Sequence, residues 1–215
     1  MKIQAFIFDL DGVLTDTSEF HFQAWKRLAD QLWVPFSRKD NEALRGVSRL
    51  ESLQTLLRDR PIDETLAESL MDCKNRYYLE LLTGITPENL LPGATDLLTE
   101  LRARGFRCAI ASASKNAPMV LSKLGIVDMV DTVVDGNAPA RSKPEPDLFL
   151  LAAERLGLPP DVCVVVEDAA AGIEAAQRAG MRAVALGPRE RFTQADLILP
   201  SLEGARVDAL LLALE

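Results

Sequence analysis

The sequence predicts an α/β fold, a parallel sheet with helices on both faces and a small helical bundle inserted after its first strand. Three observations predict it. The chain opens on a short, nearly all-apolar, β-prone stretch over residues 3–8 that runs into the polar turn Asp9-Leu10-Asp11-Gly12, the pattern of a strand buried on both faces. From residue 18 to residue 82, apolar positions recur at helical spacing with no strand between them. Beyond Leu91-Pro92-Gly93, short β-prone runs alternate with helical segments, as a parallel sheet requires.

Taken in order, Phe20, Ala24, Leu28 and Leu32 share one helical face, and so do Leu53, Leu56 and Leu57. Leu66, Leu70 and Tyr77-Tyr78 mark a further helix. After the break, helices are predicted over 94–104, 116–124, 147–156, 169–179 and 207–214. Strands are predicted over 108–111, 132–134, 163–166 and 183–185, with 197–199 as an edge strand. The first strand alone would be an orphan, so it joins the later sheet and the helical bundle becomes an insertion. The expected division is a core over residues 1–15 and 92–215 and a helical cap over 16–91, hinged near Thr15-Asp16 and Pro92-Gly93.

A chain of 215 residues is long enough for one core and a smaller inserted unit. Its net charge of −8 argues against a nucleic-acid-binding surface. Cys73, Cys108 and Cys163 stand far apart with no CxxC, which reads as reduced thiols of a cytoplasmic protein. Cys108 and Cys163, set among apolar residues, read as core fillers. No apolar run approaches transmembrane length, and the N-terminus lacks the features of a signal peptide. The expected partner is therefore a small molecule, with no nucleic acid or membrane, and the chain is expected to act as a monomer.

In open α/β sheets, ligands sit beyond the carboxyl ends of the strands, and the distinctive polar residues fall there. The first strand ends in Asp9 and Asp11, the second core strand in Ser112-Ala113-Ser114-Lys115-Asn116, and a later one in Glu167-Asp168. Lys143 lies in the loop Ser142-Lys143-Pro144-Glu145-Pro146. Carboxylates converging without cations repel one another. A hard divalent cation relieves this, and Mg²⁺ prefers a few carboxylates with waters and substrate phosphate, so Asp9, Asp168 and Glu167 suggest a Mg²⁺ site. Lys143 would add fixed positive charge on phosphate oxygens. Ser112 and the N–H groups after it precede a helix, where anions bind well.

Asp9 and Asp11, two residues apart, can lean the same way. One carboxylate can attack phosphorus while the other handles a proton. Each residue also has an ordinary reading. Asp168 could end a turn, Ser112 and Ser114 could cap the next helix, and Lys143 could be a solvated loop lysine. Together these readings leave unexplained why apolar strands end in acids in two places and in Ser and Lys elsewhere.

The run Phe8-Asp9-Leu10-Asp11-Gly12-Val13-Leu14-Thr15-Asp16 resembles the DxDGxxxD signature of the haloacid dehalogenase superfamily. Ser112, Lys143 before Pro144, and Glu167-Asp168 followed by Gly172-Ile173 resemble its other motifs in the correct order. The resemblance spans nearly the whole chain and implies a Rossmann-like parallel-sheet core with an inserted all-helical cap domain. Within the superfamily, Thr15-Asp16-Thr17 with His21-Phe22-Gln23-Ala24-Trp25, and Arg45-Gly46-Val47-Ser48-Arg49 with Glu51-Ser52-Leu53, are similar to the β-phosphoglucomutase family. That family interconverts β-glucose 1-phosphate and glucose 6-phosphate through a 1,6-bisphosphate.

The likeness implies Asp9 as the nucleophile that carries an aspartyl-phosphate and Asp11 as the general acid/base. It implies Mg²⁺ on the Asp9 carboxylate, the Asp11 backbone carbonyl and Asp168, with Glu167 helping. Ser112, the Ala113 N–H and Lys143 would hold the transferring phosphate, and Arg49 with Ser114, Lys115 and Asn116 the far one. His21, Thr17, Gly46, Val47 and Ser52 would place the sugar or support Asp11, and Lys74 matches a cap lysine. Arg45 stands where the family commonly has Lys, so a planar fork replaces a point charge. Trp25 reads as core. Two other readings stay open. One is a Mg²⁺-dependent sugar-phosphate phosphatase on the same scaffold, with water as acceptor. The other is a non-catalytic phosphosugar-binding regulatory protein, which would have no need of Asp11. The Lys143-Pro144 bond stays open between cis and trans.

Overall fold

The computed structural model describes residues 2–58, 60–192 and 194–214. The chain begins with β1 (Ala5–Phe8) and continues through α1 (Ser18–Gln31), α2 (Arg38–Glu42), α3 (Arg49–Leu56) and α4 (Glu64–Leu82). It then alternates through α5 (Ala94–Ala103), β2 (Arg107–Ala111), α6 (Ala117–Leu124), β3 (Thr132–Val134), α7 (Asp147–Leu156), β4 (Cys163–Glu167), α8 (Ala170–Arg178) and β5 (Arg182–Leu186). It closes with β6 (Leu197–Leu199) and α9 (Val207–Leu214).

The strands form one six-stranded parallel sheet in the order β3-β2-β1-β4-β5-β6. The first strand is not an orphan but sits in the middle, with Phe6 beside Cys108 on one side and Val164 on the other. Strand order reverses there, so the carboxyl ends of β1, β2 and β4 make the switch point at which such sheets bind ligands.

All of β1 is buried, and the pleat sends its side chains to two cores. Phe6 and Phe8 pack with Cys108, Ile110, Val164 and Val166 among the apolar faces of α5, α6 and α9. Ala5 and Ile7 pack with Ala109, Val165 and Ala183 among those of α7 and α8. These two faces explain why the strands read as continuous apolar runs rather than alternating ones.

Helices α1 to α4 form the cap. Trp25, Leu28 and Ala29 of α1 meet Leu53 and Leu56 of α3 and Ala67 of α4 in a core of their own. Farther along α4, Tyr77, Tyr78 and Leu82 join the sheet's core, so one helix is anchored in both. Capping boxes start two cap helices, Ser37 with Asp40 for α2 and Ser48 with Glu51 for α3. The chain leaves and re-enters the sheet region side by side. Leu91 N–H donates to Leu14 O at 2.9 Å, and the Thr15 hydroxyl donates to Asn89 O at 2.8 Å.

Candidate active site

Asp9 follows β1 directly, and its N–H donates to Val166 O of β4 at 2.9 Å. The chain then turns at Gly12, whose φ of +85° favours glycine. A Cβ there would lie 2.2 Å from Asp168 Oδ2. Glycine alone therefore lets the loop after β1 press against the end of β4. Asp9, Glu167 and Asp168 are buried together as a result.

Lys143 completes this group. Its loop passes through a cis Lys143–Pro144 bond, and its side chain is fully buried rather than solvated. The ammonium donates to the Asp9 carboxylate, to Glu167 Oε1 at 2.8 Å and to the Ala111 carbonyl at 3.2 Å, which uses all three of its protons. Burial acts to lower the Lys143 pKa, but Asp9 and Glu167 outweigh it, and the group is held charged. Burial pushes Asp9 and Asp168 up from the ordinary carboxylate range; Glu167 adds to both, and Lys143 opposes it. At Asp168 the Arg45 guanidinium also opposes the rise, with Nη1 2.6 Å from Oδ2.

Among the described residues, no three His, Cys, Asp or Glu side chains form a closed metal cage. Mg²⁺ needs none, because it takes one or two carboxylates and completes its shell with water and phosphate. The oxygen-only donors and the charge crowding that lifts Asp9 and Asp168 suit a hard divalent cation.

Asp11 follows two residues on, and among the described residues its Oδ1 is buried without a hydrogen-bond partner. Burial, and then the Asp9 charge, push its pKa up to about 7 against the pull of Lys74. His21 Nε2 stands 4.0 Å from Asp11 Oδ2, and His21 Nδ1 lies 2.8 Å from Lys74 Nζ. Burial and the charges of Lys74 and Arg49 hold His21 well below its usual range. A neutral imidazole that accepts from Lys74 at Nδ1 carries its proton on Nε2, facing Asp11. Lys74 is buried over the rings of Trp25 and Tyr78, with centroids at 5.0 and 4.8 Å. Burial and Arg49 bring its pKa down to about 7. Trp25 is core, as expected, and also borders the cleft.

The far end is held by a residue that the sequence analysis did not single out. Asn75 Oδ1 accepts from Arg49 Nη2 at 3.0 Å and from Asn116 Nδ2 at 2.9 Å. One amide thus joins α3, α4 and the loop after β2. In that loop, Ser112 Oγ accepts from Ser114 N–H at 3.1 Å, and Ser114 Oγ accepts from Asn116 N–H at 3.3 Å. These serines shape the loop and leave α6 without a side-chain cap. Thr17 and Ser114 lie beside the Tyr78 hydroxyl. Gly46, with φ +75°, brings the cap onto the core: a Cβ there would sit 3.5 Å from Ala169 Cβ and 3.6 Å from Lys143 Cδ.

Between cap and sheet lies a concave cleft, the kind of place at which small molecules bind. Asp9, Asp11, Asp168, Ser112, Ala113, Ser114 and Lys115 line it from the core side. His21, Arg45, Gly46, Val47, Arg49, Ser52 and Lys74 line it from the cap. Thr17, Lys143 and Glu167 are buried behind it, and Asn116 stands at its margin through Asn75. The structure therefore brings the predicted residues to one place.

The profile of the haloacid dehalogenase-like hydrolases matches residues 3–180. A β-phosphoglucomutase of Bacillus subtilis is 44% identical over 201 residues, covering 92% of this chain and 89% of the relative. A phosphorylated carbohydrates phosphatase of Thermotoga maritima is 32% identical, over 85% of this chain and 84% of that one. Among solved structures, a β-phosphoglucomutase from Clostridium difficile superposes with a TM-score of 0.96 at 37% identity, covering 99% of this chain and 97% of that one.

Proposed function

We propose that this chain, which belongs to the haloacid dehalogenase-like hydrolase family, is a β-phosphoglucomutase. It interconverts β-D-glucose 1-phosphate and glucose 6-phosphate by way of phosphorylated Asp9 and β-glucose 1,6-bisphosphate. The observation that carries the reading is that one cleft has two ends suited to phosphate. At one end Asp9, Ser112 and Ala113 stand above Lys143. At the other Arg49 donates to Asn75, which Asn116 also meets. A mutase needs both ends, because its bisphosphate must turn round between half-reactions.

The cycle begins with the phosphoryl group on Asp9. O6 of glucose 1-phosphate attacks that phosphorus, the Asp9–phosphorus bond breaks, and the O6 proton passes to Asp11. The bisphosphate then reverses, with its far phosphate on Arg49, Lys115 and Asn116. The Asp9 carboxylate attacks the phosphate on C1, and Asp11 returns its proton to the departing O1. A carboxyl group with a pKa of about 7 can both accept and donate near neutrality. His21, with Thr17, Lys74 and Ser52, orients Asp11 and the sugar. Asp9, the Asp11 carbonyl and Asp168, with Glu167 behind them, would hold Mg²⁺. When bound, the ion supplies positive charge to the phosphoryl oxygens.

In this reading residues 16–91 move as a cap over a core of residues 1–15 and 92–215, and closure keeps water from the aspartyl-phosphate. No described helix is long and apolar enough to cross a membrane. In this reading the enzyme works as a cytoplasmic monomer. A phosphatase would share the core chemistry with water as acceptor, and the Thermotoga relative's name supports that second reading.

The test supplies β-glucose 1-phosphate, Mg²⁺ and a trace of the 1,6-bisphosphate, and follows glucose 6-phosphate and free phosphate together. Glucose 6-phosphate forming much the faster supports the mutase. Free phosphate predominating makes the chain a phosphatase.

A further inference from the structure

Arg45 pairs with an acid on each side of the cleft, by a hydrogen bond to Asp168 and by charge alone to Glu42. Its Nε lies 3.0 Å from Glu42 Oε2 in the cap, and its Nη1 lies 2.6 Å from Asp168 Oδ2 after β4. Arg191 of the core approaches the same pair, with Nη1 donating to the Asp168 carbonyl at 3.3 Å and Nη2 4.0 Å from Glu42 Oε2. Two acids and two arginines thus alternate across the seam between cap and core.

The Arg45–Asp168 contact also stands between two hollows. Both residues line the substrate cleft, and both line a second, more open hollow bounded by Gly12, Asp16, Gly187 and Arg191. Asp168 is one of the acids assigned above to Mg²⁺. An Asp168 carboxylate bonded to a guanidinium through one oxygen offers less negative charge to a divalent cation, and the two cations repel one another.

We propose that Arg45 is a resident counter-ion of Asp168 that competes with Mg²⁺. While it holds Asp168 it ties the cap to the core, and metal uptake displaces it and joins the two hollows. The proposal rests on the metal reading given above. Arginine suits the role because its planar fork reaches Glu42 and Asp168 at once, whereas a lysine ammonium is a single point charge. The coupling is reciprocal: a side chain that weakens Mg²⁺ binding by tying the cap must be loosened by Mg²⁺ to the same degree.

The test titrates Mg²⁺ alone, without sugar phosphate, into the full-length chain by calorimetry, for the wild type, Arg45→Gln and Arg45→Lys. Arg45→Gln is expected to bind Mg²⁺ about three- to tenfold tighter than wild type, the scale of one ion pair, with Arg45→Lys between them. Small-angle scattering is expected to show Mg²⁺ expanding the wild type and leaving Arg45→Gln unchanged. Should Arg45→Gln fail to fold, Arg45→Lys carries the comparison. Wild type binding Mg²⁺ no more weakly than the folded variants would overturn the proposal and leave the metal reading intact. A wild type that takes up no Mg²⁺ would overturn both.

Discussion

Lys143 and Asp9 lie 134 positions apart in the chain and form a fully buried ion pair at the foot of the cleft. Glu167 shares the same ammonium at 2.8 Å, so one cation serves two carboxylates. Removing it leaves both acids buried and unpaired. Lys143→Met is expected to destabilise the metal-free protein by about 3–5 kcal/mol, the scale of breaking a buried pair. Urea unfolding measures it. Adding Glu167→Gln to that variant should recover part of the loss, because one of the stranded charges is gone. A Lys143→Met protein as stable as wild type would show that the acids are protonated rather than paired.

Asp11 is tested by Asp11→Asn, which keeps the shape and removes the proton exchange. Turnover of β-glucose 1-phosphate should fall by about 10²–10⁴-fold, the usual contribution of a general acid or base. Binding of inorganic phosphate should change little. Unchanged turnover would remove Asp11 from the chemistry.

Asn75 accepts hydrogen bonds from both Arg49 and Asn116. Asn75→Ala leaves the half-buried Arg49 without that anchor. A hydrogen bond to a charged group is worth roughly 1.5–3 kcal/mol, so KM for the bisphosphate is expected to rise about tenfold or more. The ratio of glucose 6-phosphate to free phosphate should fall as the intermediate is held less well. A variant with wild-type KM and product ratio would reduce Asn75 to a structural link.

The buried acids set the pH response of the metal-free protein. Asp9, Asp11 and Asp168 are all raised, Asp11 to about 7. From the ordinary carboxylate range up to that value the folded chain holds more protons than the unfolded one, so its stability falls as pH rises. Lys74, brought down to about 7, works the other way at higher pH. There the folded chain holds fewer protons than the unfolded one, and stability recovers. In EDTA, Tm is therefore expected to pass through a minimum somewhat above neutrality. Mg²⁺ should raise Tm more at about pH 8 than at about pH 5.5, since protons compete for its carboxylates. A Tm in EDTA that climbs steadily from acid to alkaline pH would contradict the assignment.

The sheet and the acid-bearing strand ends were legible because buried parallel strands write themselves as apolar runs, and Asp9, Ser112 and Glu167 each follow one. Parallel pairing then forces those ends together. Lys143 was legible as a candidate but not as a buried one, because a loop sequence says nothing about the cavity its side chain fills. Asn75 left no signal. An asparagine on a long helix is ordinary, and its meaning comes from Arg49 on α3 and Asn116 on another loop. Tyr78 read as helical spacing alone, though its hydroxyl lies beside Thr17 and Ser114. Arg45 was visible as a change from lysine, but its tie to Asp168 spans 123 positions, beyond any local pattern.

The central place of β1 bears on how the protein is made. Phe6 leaves the ribosome well before the neighbours it must lie between, Cys108 and Val164. Until β4 emerges, a fully apolar strand has half its backbone without a partner, a state prone to mispairing. The helices of the cap, whose contacts are mostly local, can form in the interval. Asp9, at the end of β1, is thus synthesised well before the strands that fix it in place.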